Sequence, residues 1–138
     1  VFAGETVLVP ILPQAPIPQP VDADPERVAE LAVQACDPAG VNIVMPLPLE
    51  SLQGIFAVIG TTNVQDFAYY KIEIRPDSSE IYSLYDKSDV PVVNDLLSLV
   101  NSEIYGKGLY WLRVSVVTTA DQIAINGVCE IPVLFVAP

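Results

Sequence analysis

The residue types that most often perform chemistry in proteins are scarce in this chain. It has 138 residues, no histidine and two cysteines, Cys36 and Cys129. Without histidine there is no Ser-His or Cys-His pair and no ordinary general base near neutral pH. Two cysteines are too few for a zinc site, and their spacing is not that of a CxxC redox motif. They are either two buried thiols or a disulfide of the kind formed in oxidising compartments.

Carboxylates are the remaining candidates for catalysis. The pairs Glu73/Glu80 and Asp66/Glu103 would suit a glycosidase if each pair were held together around a bond to be cleaved. In a chain with 17 acidic residues such pairs arise by chance, and nothing in the sequence marks one of them as buried. The sequence therefore predicts that the chain is not an enzyme and uses no cofactor or metal ion.

One acidic region has the oxygen ligands that calcium prefers. Its spacing matches no EF-hand loop and lacks the glycine of that loop, so solvated turn residues are the better interpretation. The residues concerned are Asp86, Asp89, Asn94 and Asp95.

Charge and hydropathy exclude two classes of partner. The formal net charge is −11, which repels phosphate backbones and anionic lipid headgroups and so argues against nucleic acid and membrane surfaces. No run of about 18 apolar residues free of charge and proline exists, so no membrane span is expected. Because 51% of the residues are hydrophobic, a full core is expected in one domain.

Residues 1–21 form an arm whose composition differs from the rest of the chain. Prolines exclude a helix there and favour polyproline II in its second half. A linker is normally polar, yet this arm has one charged residue, Glu5. It is either a linker from a larger protein or a donor strand that completes the sheet of a neighbour. Its apolar side chains are Phe2, Val7, Leu8, Val9, Ile11 and Leu12.

A short amphipathic helix is predicted within residues 22–37. Asp24 is a good N-cap and Pro25 suits the first helical position. The sequence after residue 36 contains a proline and a glycine that end the helix. Its apolar face would consist of Val28, Leu31, Ala32 and Ala35.

From residue 38 to residue 138 the pattern is that of strands separated by turns. The clearest strand alternates inward Tyr70, Ile72 and Ile74 with outward charged residues. Turns are predicted at 60–63, 76–79, 106–108 and 126–127. The seven predicted strands are 41–45, 55–59, 69–75, 80–84, 96–100, 109–118 and 129–136. Seven short strands in about 100 residues predict an all-β sandwich of the immunoglobulin-like type. Tyr110 is placed like a tyrosine corner.

The region from Cys36 to Phe135 resembles an immunoglobulin-like module of bacterial extracellular and cell-wall proteins, including C-terminal regions of some penicillin-binding proteins. The resemblance implies the sandwich fold, an extracellular location and no catalytic residues. It also implies a disulfide between Cys36 and Cys129, one before the first strand and the other in the last. The sequence departs from the pattern at Asp95, where a glycine often stands, and in lacking a tryptophan in its middle strands. The matching segments are 41–46, 60–62, 67, 69–73, 91–94, 96–97 and 108–114.

The arm decides between the functional hypotheses. The first is a structural subunit of an extracellular filament, in which copies of the chain polymerise by inserting the arm into a neighbour. The alternative is an accessory adhesion or cell-wall module of a larger secreted protein, with the arm packed on its own domain. A carbohydrate-binding module is a third option, for which Trp111 and Tyr69 would be outward-facing aromatics.

Overall fold

The described part of the protein is all-β. The structure is a computed structural model, and it describes residue 36 and residues 39–137. The predicted arm and helix therefore lie outside the described residues, apart from Cys36. The described elements are β1 (Asn42–Met45), β2 (Ser51–Leu52), β3 (Ile55–Thr61), β4 (Phe67–Pro76), β5 (Ser83–Ser88), β6 (Asp95–Asn101), the 3₁₀ turn η1 (Ser102–Ile104), β7 (Gly108–Thr118) and β8 (Ile123–Phe135).

The strands form two sheets. One has three strands in the order β1-β3-β6, and the other has five in the order β2-β8-β7-β4-β5. All neighbours are antiparallel except β2 and β8, which are parallel. The chain crosses from the first sheet to the second between β1 and β2. The two sheets are therefore already connected by the chain between its first two strands.

The core lies between the inner faces of the two sheets. Along β7 and β4 the inward residues are large and aliphatic, as the alternating pattern predicted, and Leu112, Val114 and Ile72 are fully buried. Val58 from the three-stranded sheet is also fully buried in the same core cluster. Burial of each such side chain stabilises the fold by about 1.5–3 kcal/mol.

Two buried tyrosines stabilise the sandwich through hydrogen bonds from their hydroxyl groups to backbone carbonyls. The Tyr70 hydroxyl crosses the core and donates a hydrogen bond of 2.6 Å to the Leu97 carbonyl of the other sheet. The Tyr110 hydroxyl donates to the Tyr105 carbonyl just before β7. This backward contact is the one that a tyrosine corner makes. Burial raises the pKa of both Tyr70 and Tyr110.

Three details differ from the sequence prediction. The described residues contain eight strands, whereas seven were predicted. The additional strand is β2, whose two residues are too few to show a pattern. The fourth predicted strand, 80–84, is observed later as Ser83–Ser88. Residues before it instead cross the outer face of the five-stranded sheet, where Tyr82 is held by Glu130.

The predicted turn at Asn126 and Gly127 lies inside β8. The register between β7 and β8 shifts there, and Asn126 has a φ of 54°. Gly127 is required by close packing, since a Cβ at this position would lie 2.6 Å from the Ala124 carbonyl oxygen. The asparagine–glycine signal thus marks an irregularity within one strand. The chain reverses earlier, at a turn closed by the hydrogen bond from Asp121 N to Thr118 O.

Candidate functional site

The two cysteines are bonded to each other, which confirms the predicted disulfide. Cys129 is fully buried on β8, opposite Val114 of β7. Cys36 is partly buried against the same core. The bond spans 93 residues and fixes the chain just before it enters β1. Whatever precedes residue 36 is therefore attached at one defined point of the sandwich.

The predicted arm residues lie outside the described residues. These are Phe2, Val7, Leu8, Val9, Ile11 and Leu12, and the structure places none of them.

The first carboxylate pair consists of one nearly buried and one exposed side chain. Glu73 lies on β4 and is 8% exposed. Its Oε1 accepts a hydrogen bond of 3.0 Å from Arg113 Nε and lies 2.9 Å from a second guanidinium nitrogen. Ser115 donates to the same oxygen at 3.4 Å. Glu80 is exposed in the β4–β5 connection. Glu73 is thus one partner of a structural ion pair.

The second carboxylate pair is separated by the length of the sheet. Asp66 follows the end of β3, whereas Glu103 follows Asn101, which pairs with Ile55 at the start of β3. Opposite ends of this seven-residue strand are about 20 Å apart. Asp66 and Glu103 therefore cannot act on one bond.

The acidic loop residues make local structural contacts. Asp86 accepts a hydrogen bond of 2.9 Å from the Ser98 hydroxyl and so links β5 to β6. The Asp95 carboxylate accepts a hydrogen bond from the backbone amide of Leu96, and the backbone amide of Asn94 donates one to Thr61 Oγ1. Asp89 is exposed. Within residues 36 and 39–137 no group of three or more acidic, cysteine or histidine side chains is placed to hold a metal ion.

The outer face of the five-stranded sheet is covered by the β4–β5 connection. We call this region the covered face; its residues are Glu73, Arg75, Asp77, Tyr82, Trp111, Arg113 and Glu130. The Arg113 guanidinium lies 3.8 Å from the centre of the Tyr82 ring, and the Tyr82 hydroxyl donates to Glu130. Arg75 lies 5.3 Å from the rings of both Tyr82 and Trp111. Cation–π contacts of this kind hold the connection on the sheet.

Burial raises the pKa of the Tyr82 hydroxyl above its ordinary value. The hydrogen bond to Glu130 and its negative charge raise it further, while Arg75 lowers it in part. The phenol therefore stays protonated and keeps donating to the carboxylate throughout the neutral range.

Trp111 is not available as a sugar platform. It lies on the outer side of β7, as predicted, but is only 9% exposed. Its indole nitrogen donates a hydrogen bond of 2.9 Å to Asp77 of the covering connection. Tyr69 has Lys87 Nζ 5.5 Å from its ring centre. The two aromatics do not form a common exposed surface.

The outer face of the three-stranded sheet is of the opposite kind. Four of its side chains are largely exposed: Ile55 at 68%, Leu99 at 57%, Met45 at 48% and Leu96 at 45%. Strand pairing brings Met45, Ile59 and Leu96 into one row and Ala57 and Leu99 into the next. We call this surface the apolar face; its residues are Met45, Ile55, Ala57, Ile59, Leu96 and Leu99.

Sequence reasoning did not identify the apolar face, although a signal was present. An antiparallel strand with one face in water alternates apolar and polar residues. The run 55–59 is apolar at every position, and so is 96–97 with 99–100. Such continuous runs are typical of strands that are buried on both faces. They predict a cover that the described residues do not provide.

A cleft of about 640 Å³ lies at the end of the sandwich where β3 leads into β4 and β7 into β8. Its polar lining includes Asn63, Gln65, Asp66, Gln122 and Asn126. None of its described lining residues is an aromatic on which a sugar ring would stack. Among the residues that the structure describes, no helix has the length and hydropathy needed to cross a membrane.

No family model and no curated protein matches the chain. Among solved structures it is similar to a crystal structure of an engineered protein, with 15% sequence identity and a TM-score of 0.42. The similarity covers 74% of this chain and 21% of the engineered protein, so this chain spans about a fifth of that protein's length. A likeness this weak carries no argument about fold family or function.

Proposed function

We propose that the chain is a non-catalytic, immunoglobulin-like accessory module of an extracellular protein, serving adhesion or cell-wall binding. The observation that carries this proposal is a core closed within one chain. Val58, Ile72, Val114 and Val133, from four strands of the two sheets, are each fully buried. A domain that fills its own core needs no strand from a neighbour in order to fold.

The immunoglobulin-like assignment rests on three features together. Two sheets, antiparallel except for the parallel pair β2–β8, enclose one core, and the short strand β2 carries the chain from the first sheet to the second. Tyr110 makes the backward hydrogen bond of a tyrosine corner. The disulfide fits the same resemblance and is typical of oxidising, extracytoplasmic compartments.

The non-catalytic part of the proposal rests on how the carboxylates are used. Glu73 is bound to Arg113, and Asp66 and Glu103 lie at opposite ends of a sheet. Acidic residues of this module stabilise turns and cover a sheet, and in our proposal they perform no reaction.

A filament subunit is the second candidate, and the apolar face favours it. A neighbour's arm laid on that face would join copies head to tail without a gap in the core. Such assembly makes the sedimentation coefficient rise with concentration, whereas an accessory module sediments as one species.

Cell-wall binding is tested by sedimentation with purified bacterial cell walls. The folded chain should appear in the pellet in a saturable manner, and the reduced and alkylated chain should remain in the supernatant. A folded chain that stays in the supernatant at all wall concentrations would contradict wall binding. Release of soluble sugar or peptide fragments would contradict the non-catalytic part.

A further inference from the structure

We propose that the apolar face is the docking surface for residues 1–12 of the same chain. The inference rests on the accessory-module proposal, in which the arm packs on its own domain, and it names where the arm lies. It joins the two unusual features of the molecule: a sheet face without charge and an arm that is mostly apolar.

The face lacks the properties of a surface that stays in water. None of its six residues is charged or polar, in a chain with 17 acidic and 6 basic residues, and the polar Asn101 lies opposite Ile55 only at the end of the face. Ile55 and Leu99 expose more than half of their side-chain surface at 68% and 57%. Soluble domains rarely leave a contiguous apolar surface of this kind without a partner.

The arm has matching chemistry. Residues 1–12 carry one charge, at Glu5, and no basic residue. In an extended chain Val7, Val9 and Ile11 project to one side. Loss of hydration by a charged group would oppose docking. Burial of these three side chains against an uncharged face involves no such loss.

The attachment point of the arm lies on β8, from which the chain passes directly to the three-stranded sheet. Cys36 is bonded to Cys129, and Val41 N donates a hydrogen bond of 2.9 Å to Asn126 O. The next residue begins β1, an edge strand of the three-stranded sheet. The segment in front of residue 36 therefore joins the domain on β8, and the chain enters the three-stranded sheet at its edge strand β1, which contacts β8.

The intervening chain is long enough to reach the whole face. β3 has seven residues and is about 20 Å long, and three strands are about 10 Å wide. A polyproline segment over 13–20 would span about 25 Å, and a helix over 25–35 about 16 Å. The chain between residue 12 and residue 36 is therefore long enough for residues 1–12 to reach the apolar face of their own domain, and no second copy is needed.

Docking on the face suits this arm better than adding a strand at a sheet edge. An added strand must exchange backbone hydrogen bonds, and Pro10 has no amide hydrogen to donate. Packing on a sheet face uses side chains alone. The arm of the same chain is favoured over that of another copy, because tethering gives an effective concentration of about millimolar.

Cross-linking in the full chain tests the proposal. The variant Val9→Cys/Leu99→Cys is treated with a short bismaleimide, with the native disulfide left intact, and is digested with trypsin. A link between 9 and 99 joins the peptides 1–27 and 88–107. The matched control is Val9→Cys/Ile125→Cys, since Ile125 is 89% exposed but lies on β8 of the other sheet.

We expect at least a tenfold higher cross-link yield for the 9–99 pair than for the 9–125 pair. In an equal mixture of ¹⁴N- and ¹⁵N-labelled protein, the joined peptides should both be light or both be heavy. Equal yields for the two pairs would overturn the docking surface. Mixed light–heavy peptides would overturn docking within one chain and support the filament. Cell-wall sedimentation of the same variants tests the proposed function independently.

Discussion

The two outer faces of the sandwich differ in polarity and in what covers them. The covered face is polar, with Glu73 bound to Arg113 and Tyr82 bound to Glu130, and the β4–β5 connection lies over it. The apolar face has no such network and no covering segment among the described residues. A few specific polar contacts are thus enough to hold a neighbouring connection over one sheet. The uncharged face of the other sheet needs a covering segment from outside the described residues.

The largest effect is expected from the disulfide that holds the segment before β1 on β8, between the two regions compared. Replacing both cysteines, Cys36→Ser/Cys129→Ser, should lower the free energy of unfolding by about 4–5 kcal/mol, because the bond closes a loop of more than 90 residues. Denaturant unfolding of the variant against the oxidised chain measures it. A loss below about 1 kcal/mol would show that the segment before β1 is held mainly by other contacts.

Breaking the covered face should have the next largest effect. Arg113→Met leaves the nearly buried Glu73 without its main partner and removes the cation beneath Tyr82, at an expected cost of about 1–3 kcal/mol. Lys107→Met is the control, since Lys107 is exposed just before β7. The additional change Glu73→Leu should restore part of the loss. If Arg113→Met costs no more than the control, the network does not hold the connection in place.

The apolar face should respond only when the arm can dock. Leu99→Gln should cost about 1 kcal/mol in the full chain, because Leu99 is then buried under the arm. It should cost about zero in a chain whose arm carries Val7→Asp, Val9→Asp and Ile11→Asp. Ile125→Gln should be neutral in both backgrounds. Equal costs of Leu99→Gln in the two backgrounds would remove the coupling that the account requires.

The smallest effect is a pH dependence that belongs to the covered face. The pKa of Tyr82 is raised above 10.0 in the folded chain, so at high pH the unfolded chain loses this proton first. The stability contributed by the phenol is complete below pH 10 and is lost as the pH rises above it. Tyr82→Phe should make the alkaline decline shallower between pH 10 and pH 11.5. Unchanged slopes in thermal melts would mean that burial and the bond to Glu130 do not raise the pKa of the Tyr82 hydroxyl in the folded chain.

The strands were predictable because their signal is local. In β4 the order Tyr70, Ile72, Ile74 gives the inward face directly, and all three are buried. The disulfide followed from the family resemblance, which supplied a pairing that spacing alone left open. The short β2 could not be found, since two residues have no period.

The functional surfaces were harder to predict because they depend on distant pairs. Tyr82 and Glu130 are 48 positions apart, and Glu73 and Arg113 are 40 apart. Nothing in the local pattern at Glu80 indicated that the next residues would cross a sheet instead of joining it. The apolar face was visible in the run 55–59, but only the sheet register places it beside Leu99.

The accessibility of the apolar face in solution is the most direct test of the account. Methyl resonances of Ile55 and Leu99 are followed while a soluble paramagnetic agent is added, with Ile125 as an exposed reference. In the full chain, at a concentration where it is monomeric, Ile55 and Leu99 should be at least threefold less relaxed than Ile125, and the three arm substitutions to aspartate should abolish this protection. If Ile55 and Leu99 are as accessible as Ile125 in the unaltered chain, the arm does not cover the face, and the central claim is wrong.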